Sequence, residues 1–387
     1  MTIKKAARRE AALPHKVSFS ESWGSVVSEK DFQQNNIKLQ NSADQYLQEY
    51  AREKSADNFV LWLNDAEIIS EFSSLPDENL CTIKPTQADD YSANLLPEFL
   101  QNIYKNAKNW QINVNATLEK PLLLVLTGQN NAFEINVAKN SALTLIEETS
   151  NKACDYFIFR NLKLADSAAV EHNILRTEKE NAEKIQKYFS FSFCKTENYA
   201  SYKRTGLNLL NAIFRDEFHV EMAKNSQVNI SEACLSKGKN RASYYWPVLH
   251  ASGETASKQR FHAALADFAR VEFFGRIQVP PYAQKSDAEQ QSRFLMLSEN
   301  AQARSRPELE ILADDVKCKH GAAIGALDKM ALFYLQARGL SDSQARMLLV
   351  EAFVAEIADE FSTKWLISIA RDAISAWLSD DLEKRLT

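Results

Sequence analysis

A cysteine and a histidine lie two residues apart in the segment VKCKH, at Cys318 and His320. In a strand, both side chains would project from the same side, with their Cα atoms about 6.6 to 7 Å apart. Thiolate and imidazole are both good ligands for iron or zinc, and we expect the adjacent Lys317 and Lys319 to favour the thiolate by lowering its pKa. The pair could therefore bind one metal ion.

Two ligands on one chain make an incomplete metal site, because closed zinc and iron-sulfur sites normally use about four protein ligands. Such a site is either transient or completed by a partner chain. A second interpretation stays open: Cys318 packs as a small buried residue, and His320 caps the helix that follows. The other candidates are expected to pack within strands: Cys154, Cys194, Cys234, His172, His219 and His262.

Composition and missing motifs exclude several classes of protein. The chain has 387 residues, 45% hydrophobic and 25% charged, which is typical of a folded protein with a sizeable core. Its net charge of -5 argues against nucleic-acid binding. It contains no P-loop, G-x-S-x-G or H-E-x-x-H string. We therefore expect no enzyme, with any ATP handled by another chain.

We expect the protein to be cytoplasmic. No stretch approaches the roughly 18 apolar residues of a membrane span, and no apolar segment follows the basic start, which indicates a surface tail rather than a targeting sequence. The five scattered cysteines, without any C-x-x-C, encode neither a disulfide framework nor a self-contained zinc site. These features indicate a reducing compartment and no membrane contact.

The middle of the chain repeats itself. The segment INVAKNSALTLIEE begins at Ile135, and VEMAKNSQVNISEA begins 85 residues later (220 − 135), at Val220. Related segments begin at Leu162, Leu265 and Leu309, each with an alternating apolar stretch, a small or polar corner and a second alternating stretch. Strand, corner and strand recurring in this way favours the stacked turns of a β-solenoid. A β-sandwich with accidental similarity between strands is the alternative.

The flanking regions are predicted to be helical in part. Residues 1–117 form a mixed, partly helical region with a helix starting near Ser42, residues 118–322 form the parallel β-helix, and residues 323–387 form a small all-α domain. Within the last region we expect a helix ending at Gly339. The apolar faces of these helices either pack on one another or leave a strip for another protein.

Three ordered strings lie between residues 244 and 339: AQKSDAEQ, PELEILADDVKCKHGA and LFYLQARG. In these strings the sequence resembles the SufB/SufD family of iron-sulfur cluster assembly proteins. It resembles the SufD type, because it lacks the cysteine-rich motif of SufB-type chains and has KCKHGA where they carry a glutamate-bearing segment. The resemblance implies a right-handed parallel β-helix followed by a helical C-terminal domain.

The resemblance also implies a scaffold role. The chain would pair with a SufB-like subunit through the β-helix and dock a SufC-like ATPase through its C-terminal helices. An iron-sulfur cluster would form transiently at the SufB/SufD contact, held by His320 with Cys318 as its companion, with no cofactor bound stably. For docking of the ATPase we assign six apolar residues: Leu332, Phe333, Leu335, Leu348, Leu349 and Phe353.

Two other functions stay open. A homomeric scaffold of the SufB kind would work without a separate B subunit, and family members can pair with themselves, so a homodimer in isolation is possible. A carbohydrate-active solenoid enzyme would need a row of exposed acids and aromatics along one strand position. We find no such row in the sequence.

Overall fold

The computed structural model is mostly β, with 53% of its residues in strands and a β-solenoid of about six turns. This confirms the predicted fold class. The structure describes residues 27 and 53 and the range 55–379, except 65–66, 71–72, 89–93, 97, 108, 128, 150–154 and 178–185. The helix predicted near Ser42 falls outside the described residues apart from its end at Glu53.

The described part of the chain contains the following elements. The strands are β1 Phe59–Asn64, β2 Glu67–Ile68, β3 Cys81–Thr86, β4 Asn109–Val114, β5 Leu122–Thr127, β6 Asn130–Val137, β7 Ala142–Thr149, β8 Tyr156–Leu164, β9 Ala169–Arg176, β10 Gln186–Thr196, β11 Ser201–Asn208, β12 Ala212–Met222, β13 Gln227–Ser236, β14 Arg241–His250, β15 Ala256–Leu265, β16 Arg270–Val279, β17 Asp287–Met296, β18 Gln302–Ile311 and β19 Lys317–Ala326. The helices are α1 Glu98–Asn106, α2 Lys329–Ala337, α3 Asp342–Ala358 and α4 Lys364–Ser379.

Successive strands alternate between two stacked sheets, so each solenoid turn gives one strand to each sheet. Sheet A has ten strands in the order β19-β17-β15-β13-β11-β9-β7-β5-β1-β2, and sheet B has nine in the order β18-β16-β14-β12-β10-β8-β6-β4-β3. Pairing is parallel except where β2 joins β1 and β3 joins β4. Side chains that alternate along each strand therefore face either the interior between the sheets or an outer surface.

The 85-residue repeat corresponds to three turns of the solenoid. Ile135 pairs with Leu162, Leu162 with Cys194, and Cys194 with Val220. The two similar segments therefore lie on the same row of sheet B.

The corner inside each of the two similar segments requires one residue with a left-handed backbone. In the Ala-Lys-Asn-Ser corners, Asn140 and Asn225 each have φ 59, a conformation that asparagine tolerates better than most residues. Neighbouring corners are joined through their backbones: Asn140 N donates to Asp166 O at 3.1 Å, and Tyr199 N donates to Lys224 O at 3.0 Å. The shared Asn is therefore explained by the geometry of the turn.

The sheets extend beyond the predicted ends of the solenoid. Strand β1 pairs in parallel with β5, and β4 pairs in parallel with β6, so both belong to the sheets although they precede residue 118. At the other end β19 runs to Ala326. The first C-terminal helix begins at Lys329, after Asp328 accepts hydrogen bonds from the backbone N–H groups of Met330 and Ala331.

The C-terminal helices cover the outer face of sheet A. Gly339 has φ 94 and follows α2, as predicted. Ser341 and Gln344 form a capping box at the start of α3. Apolar residues of α3 and α4 pack against outward-facing residues of sheet A in one cluster, whereas α1 packs on the outer face of sheet B. The largest cluster lies in the interior between the two sheets.

Candidate functional site

Both sheets end at the same end of the solenoid. Strand β19 is the last strand of sheet A and β18 the last of sheet B, and within the described chain each pairs on one side only. We call these two strands the terminal edge. Unpaired strand edges are ready to add strands from another chain unless they are protected. Pro307 in β18 removes one backbone donor, but β19 contains no proline.

Cys318 and His320 lie in β19, at this terminal edge. Cys318 is half-buried and packs against an apolar cluster that includes Ile277 and Val279 of β16, so it faces the interior. His320 is exposed and, by strand alternation, lies on the same side as Cys318. The structure therefore supports the predicted placement of the pair on one side of a strand. His320 makes no hydrogen bond or ion pair with the described residues.

The surroundings of Cys318 and His320 differ from two of the predictions. Partial burial, together with the charge of Asp287, raises the pKa of the Cys318 thiol, so the predicted lowering by lysines was wrong. Lys319 instead lies 3.5 Å from Glu289, where its charge is compensated. His320 does not cap the following helix, because the N-cap residue of α2 is Asp328.

The other candidate cysteines and histidines in the described chain are buried or contact residues of their own chain. Cys194 and Cys234 are buried, as predicted, and burial raises the pKa of Cys234 to about 12. His172 lies 2.8 Å from the hydroxyl of Tyr202, and His262 contacts a backbone carbonyl of α3. Cys154 lies outside the described residues. No group of three or more potential metal ligands occurs among the residues that the structure describes.

The interior of the solenoid contains a network of charged residues that the sequence analysis missed. It consists of Glu147, Arg160, Arg176, Arg204, Asp216 and Glu232, all buried. Arg160 Nε donates to Glu147 at 2.7 Å, and Arg176 Nη1 donates to Glu232 at 2.7 Å. We call this the interior charge network. No local signal distinguishes these residues from the charged residues that usually occupy the solvent side of a strand.

Arginines lower the pKa of two carboxylates of this network, those of Glu147 and Asp216. Burial alone would raise the pKa of Asp216, but Arg204 and Arg176 hold it at about 2. The pKa of Glu232 is nevertheless raised, because burial outweighs the same two arginines. Trp246 Nε1 also donates to Asp216 at 2.9 Å. Paired charges of this kind are costly to disturb, because removing one partner leaves the other buried without compensation.

The six residues predicted to dock the ATPase differ in exposure. Phe333 and Leu348 are exposed by 66% and 45%. Leu335 and Leu349 are half-buried. Leu332 is only 8% exposed. The structure thus leaves Phe333 and Leu348 most accessible to another protein.

Phe353, the sixth of these residues, contacts its own chain, whereas two residues that were not predicted are exposed. Phe353 stacks on the imidazole of His262, so its ring is occupied by a contact within the chain. Met330 and Tyr334 of α2 are exposed by 73% and 57%. Met330 lies three residues before Phe333 and Tyr334 one residue after it on the same short helix, and this proximity was the signal in the sequence that pointed to them. We call Met330, Phe333, Tyr334 and Leu348 the exposed helical surface.

The fold and the matching family model together define the class of this chain. The family model for the SUF system FeS cluster assembly, SufBD core domain, matches residues 122–353. This covers the solenoid from β5 to β19 and continues into α3. The chain belongs to the SufBD family.

Relatives with curated names agree with this assignment. The chain is 28% identical over 229 residues to the iron-sulfur cluster assembly protein SufD of Escherichia coli, covering 59% of this chain and 47% of that protein. It is 24% identical over 348 residues to the chloroplastic protein ABCI7 of Arabidopsis thaliana, covering 82% and 70%. A SufBD family iron-sulfur cluster assembly protein of Synechocystis is 41% identical over 120 residues, 31% of this chain and 26% of that protein.

Among the described residues, none of the helices has the length and apolarity that crossing a bilayer requires.

Proposed function

We propose that this chain is a SufD-like subunit of a SufBCD-type complex that builds iron-sulfur clusters. It pairs with a SufB-like subunit at the terminal edge and docks a SufC-like ATPase through the exposed helical surface. A nascent cluster, which is cargo rather than a resident cofactor, is held at the contact by His320, with Cys318 beside it. The chain itself catalyses no reaction and works in the cytoplasm.

The position of His320 carries this proposal. The residue is exposed on the last strand of a sheet whose edge is unpaired in the described chain. A partner that adds a strand to β19 would bring its own residues beside this imidazole. Two candidate ligands on one chain then become part of a site that two chains complete.

Cys318 is the weaker ligand of the pair. Its raised thiol pKa favours the protonated form, which does not bind metal until the proton is lost. A metal ion shared with a partner would supply the charge that removes this proton. The geometry therefore supports His320 as the first ligand and Cys318 as a second ligand that binds in the assembled complex.

The experiment compares cluster formation in a reconstituted complex of this chain with SufB-like and SufC-like proteins. Iron and sulfide are added without oxygen, and the cluster is followed by its absorption. His320→Ala is expected to leave folding and partner binding intact and to lower cluster formation severalfold. Lys139→Ala is the control, because this exposed residue lies in the corner after β6, far from both the terminal edge and the C-terminal helices. Unchanged cluster formation in His320→Ala would remove the site assignment.

The homomeric alternative uses the same terminal edge, since a second copy could add its own β19. It predicts that the isolated chain is a dimer and gains a cluster without the other subunits. Sedimentation of the isolated chain and its absorption after reconstitution separate the two functions.

A further inference from the structure

A row of buried amides leads through the interior of the solenoid to His320. Gln259 of β15 pairs in register with Gln290 of β17, and Gln290 pairs in register with His320 of β19. Gln259 and Gln290 are 0% and 1% exposed. His320 is therefore the third member of this row and its only exposed one.

The hydrogen bonds of this row have a fixed direction. Gln259 Nε2 donates to the backbone carbonyl of Trp246 at 3.0 Å, and Gln290 Nε2 donates to Gln259 Oε1 at 2.5 Å. A carbonyl oxygen can only accept, so it orients the first amide, and the first amide orients the second. The remaining oxygen, Gln290 Oε1, is consequently directed away from Gln259, toward the last turn.

Gln290 Oε1 is a buried acceptor without a hydrogen-bond partner. Leaving such an acceptor unpaired costs stability, and a donor from the next strand would remove that cost. The next residue in the row is His320, whose ring also makes no hydrogen bond with the described residues. A neutral imidazole has one N–H donor and one acceptor nitrogen. The two unpaired groups are thus complementary neighbours.

The space for this row depends on a glycine in the opposite sheet. A Cβ atom at Gly275 of β16 would lie 2.0 Å from Gln290 Nε2 and 2.9 Å from Gln259 Oε1. Any larger residue would displace the amides. The chain therefore keeps both glutamine side chains close against sheet B, in one orientation.

We propose that Gln290 is a positioning residue for His320. The structure shows neither Gln290 Oε1 nor the His320 ring in a hydrogen bond, and a rotation of the His320 side chain would bring its Nδ1–H to this Oε1, because the amide carbon and Nδ1 lie the same three bonds from their Cα atoms on adjacent strands. This bond holds the imidazole in the Nδ1–H tautomer. The lone pair of Nε2 then faces outward, ready to bind metal. Hydrogen-bond partners of metal-binding histidines commonly orient the ring in this way.

Only the metal-binding role of Nε2 rests on the proposed function, since the hydrogen bond is a property of this chain. The test uses the full-length chain labelled with 15N-histidine at pH 8, where the tautomer is read from the 15N shifts of the ring. The signals of His320 are assigned by their loss in His320→Ala. The expected result is the Nδ1–H tautomer in the unchanged protein.

Two substitutions of Gln290 sharpen the test. Gln290→Leu removes the acceptor and is expected to convert His320 to the Nε2–H tautomer that free imidazole side chains prefer. Gln290→Glu retains an acceptor and is expected to keep Nδ1–H. An Nε2–H tautomer in the unchanged protein would overturn the proposal, even if Gln290→Leu failed to fold.

Cluster formation in the reconstituted complex separates this proposal from the proposed function. We expect Gln290→Leu to lower cluster formation at least threefold, because the imidazole of His320 would no longer be oriented to bind metal. A loss in His320→Ala without a loss in Gln290→Leu would overturn the positioning role. No loss in either variant would overturn the proposed function, while the tautomer would still decide the hydrogen bond.

Discussion

The ring of Phe353 lies on the imidazole of His262, with 4.9 Å between their centroids and 15° between their planes. His262 Nδ1 also donates to the backbone carbonyl of Phe353 at 3.1 Å, and the guanidinium of Arg293 lies 5.5 Å from the centre of the phenyl ring. One aromatic side chain of α3 is therefore held by two residues of sheet A. The helices and the solenoid are joined at this point by stacking, a hydrogen bond and a cation–π contact.

Phe353→Ala should weaken this attachment. We expect a loss of about 2 kcal/mol in the free energy of unfolding, less than for a fully buried phenylalanine, because Phe353 is only half-buried. Urea unfolding measures the loss, and hydrogen exchange should show faster opening of α3. Leu348→Ala on the same helix is the matched control, because Leu348 is 45% exposed and should change stability little. Equal losses in both variants would contradict this assignment.

The exposed helical surface should separate binding from stability. Phe333→Ala removes a side chain that is 66% exposed, so unfolding should change by less than about 0.5 kcal/mol. Binding of a SufC-like ATPase should weaken at least tenfold, as for an aromatic residue at the centre of an interface. Calorimetric titration measures the affinity.

The neighbouring Leu332 is the control for this surface. It is 8% exposed and does not belong to the exposed helical surface, so Leu332→Ala should lose about 2 kcal/mol of stability and leave the docking contacts in place. A Phe333→Ala variant that binds the ATPase with unchanged affinity would show that docking uses another surface.

Gly206→Ala should destabilise the interior charge network. A Cβ atom at this position would lie 1.9 Å from Glu232 Oε2, and the carboxylate is held by Arg176 and Arg204. Displacing it disturbs a buried ion pair, so we expect a loss of about 2 kcal/mol. Thermal unfolding measures it. Gly321→Ala is the matched control, because no atom lies within 4 Å of a Cβ built there; a loss of similar size in that variant would contradict the steric explanation.

Stability should fall between pH 7 and pH 5. Burial lowers the pKa of His172 and of His250 to about 4, whereas unfolded histidine titrates near 6.5. In this range the unfolded chain binds more protons than the folded chain, so acidification favours unfolding. The expected loss is on the order of 2 kcal/mol per histidine. The lowered pKa of Asp216 reduces stability only below about pH 4, because the pKa of an unfolded aspartate is near 3.9.

Urea unfolding at several pH values measures this dependence. His250→Gln keeps a neutral polar side chain beside Thr255 and Ser257, and it should reduce the slope between pH 7 and pH 5, while the lowered pKa values of His172 and His262 maintain the rest of it. Stability that stays constant over this range would contradict neutral, buried histidines.

Much of the fold was predictable because its signals are local. Alternating apolar residues, the repeated Ala-Lys-Asn-Ser corner and the helix boundaries at Gly339 and Ser341 each depend on a few neighbouring residues. The extension of the sheets to β1 and β4 was not predictable in this way, since these strands lack the repeated corner and are identified only by their partners.

The candidate site was predictable in part for the same reason. Strand alternation placed Cys318 and His320 on one side, but the pKa of the thiol depends on burial and on Asp287, which lies 31 residues (318 − 287) away in sequence. The two lysines adjacent in sequence were a poor guide, because adjacent residues of a strand face opposite sides.

The sequence by itself determined the solenoid, its corners, the helical end and the family, because each is written in short ordered strings. Only the tertiary structure decided that six charged residues meet inside the column and that a directed pair of amides ends beside His320. Those contacts join residues on different strands, from 12 residues apart for Arg204 with Asp216 to 56 for Arg176 with Glu232. From β4 to β19, the offset between paired parallel strands varies from 23 to 32 residues, as for Asn109 with Ala132 and Ala169 with Ser201. No fixed period in the sequence marks them, so the register of the strands had to be known first.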